Sequence, residues 1–315
     1  MAESGSDSLE QDDKTVIADW QPVGFVQQHF LIDNTEGKPS YFSIHRARLG
    51  ISGKLNKRIN LNFIVGAMEP PDRKPALVNA FADFSIHPLF NLRTGQFLVP
   101  FGLEGPEAIT LNPAIERAYP TKQMNNYRMF RDIGLMVQGT YSFINYSFAV
   151  LNGAGANVPE NIDPKDFVFR TIFTLAPDIK AGFSAQTGKF ENTEGVIRNR
   201  QKWAVHSEYD FDLGFIRGEF IKQYTDRDPE PEKEVSLGGY LLAGYRVSDE
   251  INFISRYEYY RSGNDGTYKY HGVMLGVNYF FSSRTRLSVN GTGSTFTSNG
   301  NNMQYEMNMQ LQFVL

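Results

Sequence analysis

The alternation of apolar and polar residues at the C-terminal end is the feature that most constrains how this chain folds. Every odd position from 303 to 315 is apolar, whereas every even position from 304 to 312 is polar. A period of two places successive side chains on opposite faces of an extended strand. The same pattern recurs at 59–65 and 78–86, so the chain is predicted to be all-β.

Sixteen runs of this kind follow one another, and each is interpreted as a strand. They lie near 18–32, 41–53, 58–67, 76–87, 91–99, 131–141, 144–152, 165–175, 179–190, 201–211, 213–226, 234–247, 250–262, 269–281, 284–296 and 302–315. Their connections alternate between short and long, and the longest is 100–130. This rhythm is typical of outer-membrane barrels. We predict a sixteen-stranded antiparallel transmembrane β-barrel over 18–315, with short periplasmic turns and long outer loops.

A soluble all-β protein, such as a double sandwich, a propeller or a lectin-like domain, is the alternative that also explains alternation. It does not explain the short and long connections or the absence of a domain break. Nor does it explain why aromatic residues end several strands, as interfacial aromatic residues do in membrane barrels. These residues are Tyr141, Phe211, Tyr245, Phe280 and Phe281.

The first fourteen residues are polar and acidic and contain no apolar run. Residues 1–17 are therefore predicted to form a mobile N-terminal tail. A signal peptide is absent from this numbering, because no apolar h-region is present. Two explanations stay open at this point: a cytoplasmic protein, or a numbering that starts at a mature end.

Composition excludes several other classes of protein. The chain has no cysteine, and its net charge of −4 argues against a nucleic-acid partner. No two of the five histidines, at positions 29, 45, 87, 206 and 271, lie two or four residues apart. Hydrolase, metalloprotease and nucleotide-binding motifs are also missing. We therefore expect no enzyme activity, no cofactor and no metal site.

Several short motifs resemble the phosphate-selective porin O and P family of bacterial outer membranes. In chain order they are GQFLVPFGLE at 95–104, IERA at 115–118, RDIG at 131–134, LNGAG at 151–155, KDFVFR at 165–170, RYE at 256–258 and the terminal QLQFVL. The resemblance implies a sixteen-stranded, usually trimeric porin in the bacterial outer membrane, with one loop folded into the lumen. Two residues depart from the pattern. Leu98 stands where family members often carry Lys, and Leu315 stands where outer-membrane proteins usually end in Phe.

Alternation also assigns charged side chains to the lumen, because an Arg or Lys facing lipid at the bilayer midplane costs roughly 2–4 kcal/mol. The predicted pore-lining basic residues are Arg46, Arg48, Arg58, Arg93, Arg170, Lys180, Lys202, Arg217, Arg246, Arg256 and Arg286. The predicted pore-lining acidic residues are Asp83, Asp132, Glu208, Asp210, Glu219, Glu258 and Glu306. This basic excess favours a lumen that attracts small anions.

An alternative role for these charges is structural, since neighbouring cations and carboxylates on one strand face can pair. Arg217 with Glu219 and Arg256 with Glu258 have this spacing. The sequence leaves open whether the charges hold the wall rigid or attract solute.

The long connection at 100–130 is irregular but too apolar for a solvated tail. Connections of this length usually carry function or are disordered. We predict that it folds into the lumen and narrows the pore, or alternatively that it covers a trimer seam or a partner. The charged residues expected at the constriction are Glu104, Glu107, Glu116, Arg117, Lys122, Arg128 and Arg131.

The function expected from these features is passive diffusion of small solutes and ions through an outer-membrane porin. A mild preference for anions, with phosphate-like oxyanions as one candidate class, is part of that prediction. The expected partners are outer-membrane lipids, small anionic solutes and two further copies in a homotrimer. The alternative is a barrel sleeve that insulates a periplasmic or surface partner, such as a multihaem electron conduit or a lipoprotein.

Overall fold

Sixteen antiparallel strands form a closed barrel in the computed structural model of this chain. The structure describes residues 19–33, 40–69, 74–87, 89–160, 163–191, 196–226, 233–263, 268–297 and 303–315. The predicted tail at 1–17 and parts of the predicted long connections lie outside these residues. Among the described residues, no helix is long and apolar enough to cross a bilayer.

The strand bounds follow the alternation closely. The strands are β1 (Asp19–Asp33), β2 (Tyr41–Lys54), β3 (Ile59–Glu69), β4 (Lys74–His87), β5 (Phe90–Leu98), β6 (Arg131–Tyr141), β7 (Ile144–Leu151), β8 (Asp166–Ala176), β9 (Ile179–Glu191), β10 (Ile197–Phe211), β11 (Gly214–Asp226), β12 (Lys233–Arg246), β13 (Ile251–Ser262), β14 (Tyr268–Ser282), β15 (Thr285–Phe296) and β16 (Met303–Val314). A short helix α1 (Tyr119–Gln123) and a 3₁₀ turn (Arg128–Phe130) lie between β5 and β6.

Each strand pairs with the next, and β1 pairs with β16 to close the ring. The closing register runs from Phe25 opposite Val314 to Asp33 opposite Glu306. Closure leaves no unpaired sheet edge, which is the condition for a β-sheet to span a bilayer. The predicted sixteen-stranded antiparallel barrel is confirmed.

The two faces of the wall have opposite chemistry. Outward side chains are apolar and exposed, as at Leu275 and Phe253, whereas inward side chains such as Gln27, Ser288 and Gln310 are polar and buried. A soluble sandwich would bury its apolar face instead. Lipid covers the apolar face of a membrane barrel, so this inversion follows from the bilayer being the outer solvent.

Strand β10 begins at Ile197, four residues before the position predicted from the sequence. The sequence there is Ile-Arg-Asn-Arg, which the prediction left in the connection before the strand. In the structure Arg198 and Arg200 are both buried on the inner face, and the backbone pairs with β9. Inward charge is compatible with a barrel strand, so charge alone does not mark the end of a strand.

Candidate functional site

The segment between β5 and β6, residues 99–130, contacts opposite sides of the barrel from within. Near its start, the backbone N–H of Gly102 donates to Oγ of Ser184 on β9 at 3.0 Å. Further along, the backbone N–H of Ile115 donates to Oδ1 of Asn290 on β15 at 2.9 Å. Both partners face inward, so the segment lies across the interior. We call it the internal loop.

Wall cations hold the internal loop through its carbonyl oxygens. Three of them donate hydrogen bonds of 2.8–3.0 Å: Arg170 to Gly102, Lys202 to Met124 and Arg256 to Glu116. The Lys202 ammonium also lies 4.2 Å from the ring centre of Phe101. These three side chains were predicted to line the pore, and each bonds the loop instead of facing only open space.

Wall carboxylates hold the loop through its N–H groups. Glu219 on β11 accepts from Leu103 at 2.9 Å, and Glu258 on β13 accepts from Tyr119 at 2.8 Å. Glu258 also pairs with Arg256 at 2.9 Å, as its spacing in the sequence suggested. Arg217 instead reaches the loop, where it donates to both carboxylate oxygens of Glu107 at 2.9 and 3.1 Å.

Glu104 is the buried carboxylate at the centre of the loop. Its side chain has no exposed surface and accepts a 2.7 Å hydrogen bond from the N–H of Ala118. Arg217 and Arg256 lie 3.9 and 3.8 Å from its Oε1. Burial raises the pKa of Glu104 above its ordinary value, while the two arginines oppose that shift. The residue therefore joins two turns of the loop and the wall at one point.

Arg117 bonds the loop to itself. Its guanidinium donates to the carbonyl oxygens of Glu104 at 2.8 Å and of Glu107 at 2.5 Å. Burial lowers the pKa of Arg117 to about 10, with Glu104 opposing the shift. The side chain stays cationic at neutral pH, and it lies over the ring of Phe130.

Apolar packing also holds the internal loop against the barrel wall. Phe97, Phe101, Met124 and Tyr127 form one buried cluster with inward residues of β6 to β14. Tyr127 also donates a 2.5 Å hydrogen bond to the fully buried Asp166 on β8. The loop thus fills much of the lumen on the side of β6–β13.

A cavity of about 530 Å³ remains on the other side of the loop, towards β2 and β3. Six of its lining residues are basic and two are acidic. The basic residues are Arg46, Arg48, Arg117, Lys122, Arg128 and Arg131, and the acidic residues are Glu69 and Glu116. We call this space the cationic cavity.

Both acidic residues of the cationic cavity are already paired. Arg48 donates to the two carboxylate oxygens of Glu69 at 2.7 and 2.6 Å. Glu116 lies 3.3 Å from Arg46 and 2.8 Å from Nε2 of His45. Burial raises the pKa of Glu116, but Arg46 and His45 outweigh it and hold that pKa well below the ordinary value. The formal charge of the lining is therefore an excess of four positive charges.

A second cavity of about 290 Å³ lies on the opposite side of the loop segment 115–122, against β13–β16. Glu116, Arg117 and Lys122 line both spaces. The remaining lining of the second cavity comes largely from uncharged polar side chains on β15 and β16 and from aromatic rings.

The other charges predicted to line the pore lie elsewhere. Arg58 is exposed in the turn before β3, because Oδ1 of Asn56 accepts from the N–H groups of Arg58 and Ile59 and fixes a turn there. Lys180 and Arg246 lie at strand ends beside short turns. The guanidinium of Arg246 lies 3.0 Å from the carboxylate of Asp210.

Three further groups complete the placement of the predicted residues. Arg93 and Asp83 pair at 2.7 Å, and Asp132 accepts from the N–H groups of Gly153 and Gly155. The remaining predicted residues are Glu208 on β10, the buried Arg286 on β15 and the exposed Glu306 on β16.

Sequence reasoning missed three charged residues that matter here, namely Glu69, Asp166 and Arg200. Glu69 lies two residues beyond the predicted end of its strand, and Arg200 precedes the predicted start of β10. Asp166 is fully buried and accepts from Arg200 at 3.1 Å. Alternation continued back from β10 would have found Arg200, whereas Glu69 follows a bulge in β3 between Gly66 and Glu69, and strict alternation would have placed it on the outer face.

His29, His45 and Glu116 are the one group of potential metal ligands found among the described residues, with ligand atoms within 4.8 Å of one another. The pairing of β1 with β2 and the path of the internal loop, not sequence spacing, bring them together. The two imidazole rings stack at 4.1 Å and only 10° apart, so their in-plane lone pairs do not converge. Arg46 also competes for the carboxylate. The arrangement fits a stacked, hydrogen-bonded cluster better than a metal site.

Comparison with known proteins agrees with this architecture. Residues 21–174 match the model of the family described as phosphate-selective porin O and P. The match covers just under half of the chain and shows which porin family that part resembles. The resemblance read from the sequence is thereby confirmed, and it implies a location in the bacterial outer membrane. Porins of this family and fold are channels and not enzymes.

Solved porins share the fold at low sequence identity. OmpT of Vibrio cholerae, described as a trimer form, has a TM-score of 0.74 at 13% identity and covers 94% of this chain and 99% of its own. An anion-selective porin from Comamonas acidovorans has a TM-score of 0.71 at 15% identity, with coverage of 94% and 99%. Salmonella typhi OmpF, in complex with daunomycin, has a TM-score of 0.70 at 12% identity, covering 94% and 97%. No curated protein sequence matches the chain.

Proposed function

We propose that this porin is a passive diffusion channel with a mild preference for small anions, and that the cationic cavity is its selective passage. The observation that carries the proposal is the lining of that cavity. Six basic side chains surround it, while its two carboxylates are each paired with an arginine. Rings of Arg and Lys attract anions into a pore, and binding must stay weak enough for release.

The internal loop supplies the constriction in this proposal. It contributes Arg117, Lys122 and Arg128 to the cavity, and β6 begins beside it with Arg131. Wall charges on β8–β13 hold the loop, which supports the structural role for those residues and the selective role for the cavity lining. A barrel sleeve would need an empty lumen, and the loop contacts argue against one.

We favour a general anion preference over phosphate selectivity. Leu98 occupies the position where the family often has Lys. Arginine remains charged at all relevant pH values and can bind oxyanions through two parallel hydrogen bonds, but it also attracts chloride. A homotrimer is the proposed assembly, since the Vibrio cholerae barrel of the same fold is described as a trimer.

Reconstitution in a planar bilayer under a tenfold KCl gradient tests the proposal. We expect stable conductance steps with a reversal potential on the anion side. Phosphate added to the same channels should compete with chloride only weakly. A reversal potential on the cation side would contradict the anion preference, and a folded barrel that never conducts would contradict the channel itself.

A further inference from the structure

The second cavity differs in charge from the cationic cavity that it adjoins. Its basic lining residues are Arg117, Lys122 and Arg256, and its acidic ones are Glu116, Glu258 and Glu306. The formal charges therefore balance, whereas the cationic cavity has an excess of four positive charges. A balanced lining gives no net attraction for either a simple anion or a simple cation.

Polar side chains on β15 and β16 form directly opposed pairs on the cavity wall. Thr292 lies opposite Glu306, and Ser294 lies opposite Gln304. Within the described residues, the side chains of Thr292, Ser294 and Gln304 make no hydrogen bond, and all three are half-buried. Two hydroxyls and an amide are thus available as donors and acceptors to a solute.

Aromatic rings form the neighbouring part of the same cavity. Tyr270 on β14 lies opposite Phe296 on β15, with ring centres 5.0 Å apart. Tyr119 of the internal loop stacks on Tyr270 at 3.8 Å, and its hydroxyl bonds to Tyr268 at 2.6 Å. Tyr119, Tyr270 and Phe296 all line the cavity. An apolar ring surface therefore adjoins the row of free hydroxyl and amide groups.

We propose that the second cavity is a binding site for a neutral, hydroxyl-rich solute of the sugar class. A sugar ring has hydroxyl groups around its edge and apolar C–H groups on its faces. Its hydroxyls match Thr292, Ser294, Gln304 and the Glu306 carboxylate, and its C–H face matches the aromatic surface. At about 290 Å³ the space has the volume of a small ligand site. The proposal goes beyond anion diffusion, because it assigns a second solute class to a second space.

Ion current through single channels reports on glucose in this cavity. With glucose added to both sides, we expect the current to fall saturably, beyond the linear fall that glucose causes in bulk electrolyte conductivity. The double variant Thr292→Val/Gln304→Leu removes two hydrogen-bonding side chains. It should raise the half-saturating glucose concentration roughly three- to tenfold, as the loss of one or two neutral hydrogen bonds does. Its reversal potential should match wild type.

The variant Arg128→Gln is the matched control, because Arg128 lines the cationic cavity and does not line the second cavity. It should shift the reversal potential while leaving the glucose effect unchanged. If glucose lowers the wild-type current only as it lowers bulk conductivity, the solute merely diffuses through and the proposal is overturned. Equal effects of glucose on wild type and the double variant would overturn it too.

Saturation-transfer NMR on the detergent-folded barrel separates this proposal from the channel proposal, since it needs no conduction. Glucose should show transfer that the double variant loses. Glycine is the comparison probe, because a zwitterion would favour the paired charges over the hydroxyl row. Transfer to glycine with none to glucose would overturn the sugar assignment even if the channel conducts anions normally.

Discussion

Reversing two charges of the cationic cavity should abolish anion preference without altering the barrel. Lys122 lies on α1 and Arg128 in the 3₁₀ turn, and both line the cavity. The double variant Lys122→Glu/Arg128→Glu changes its formal charge by four, from an excess of four positive charges to zero. Neither residue belongs to a strand, so the hydrogen-bond ladder stays intact.

The size of the effect follows from simple electrostatics. Consider a lining charge roughly 10 Å from a permeating ion in water with 0.1 M salt. Each positive unit charge then lowers the free energy of a monovalent anion, relative to that of a monovalent cation, by about 0.3 kcal/mol. Four charges give about 1.2 kcal/mol, which is a permeability ratio of roughly eight. Under a tenfold gradient this ratio gives a reversal potential of about 40 mV, against roughly 59 mV for a perfectly selective pore.

Single-channel recording between about 0.1 and 0.01 M KCl measures this potential, since low salt limits screening. The neutral variant Lys122→Gln/Arg128→Gln should give about 20 mV, and the double Glu variant should give about zero. Arg58→Glu is the control, because Arg58 is exposed in a turn outside the cavity. A reversal potential that stays at the wild-type value in both double variants would refute the assignment of selectivity to this cavity.

Three further predictions concern the internal loop. Glu104→Ala leaves the N–H of Ala118 and two arginines without their buried partner, a loss of about 3–5 kcal/mol from loop packing; current noise should rise, Glu104→Gln should be milder, and equally quiet channels in both would argue against it. Gly102→Ala should displace the loop, because Gly102 has a φ of 75° and a Cβ there would collide with Glu219; protease cleavage within 99–130 should increase, and unchanged protection would refute this. Acidification should strengthen anion preference only well below the ordinary pKa of a glutamate, because the depressed pKa of Glu116 keeps it ionised through that range and its protonation then removes a negative charge from the cavity; Glu116→Gln should lose this acid-dependent step in reversal potential.

Alternation was enough to predict nearly the whole barrel, since each strand has one face towards lipid and the other towards the polar groups of the lumen. The ends of β3 and β10 are the exceptions. At the end of β3 a bulge between Gly66 and Glu69 turns Glu69 inward against the alternation, and the predicted β10 left out the inward Arg198 and Arg200. A strand facing a polar lumen tolerates such residues, so the usual signal for a strand end fails.

The candidate site was less predictable, because alternation gives the face of a residue but not its partner. Arg256 and Glu258 pair as their spacing suggests, whereas Arg217 binds Glu107 from a loop more than a hundred positions away. The path of the internal loop decides which charges remain beside open space. That path depends on packing around Phe101, Met124 and Tyr127, for which the sequence has no periodic signal.

The ladder between β1 and β16 has a consequence for how the chain assembles. It joins residues such as Gln27 and Gln312, which are 285 positions apart, and the ring is incomplete until it forms. Contacts of such long range form slowly, because the entropy of the intervening chain opposes them. An open sheet has two unpaired edges that hydrocarbon cannot solvate. Strands therefore cannot enter the bilayer one by one, and insertion and closure must occur together as a single late step of folding.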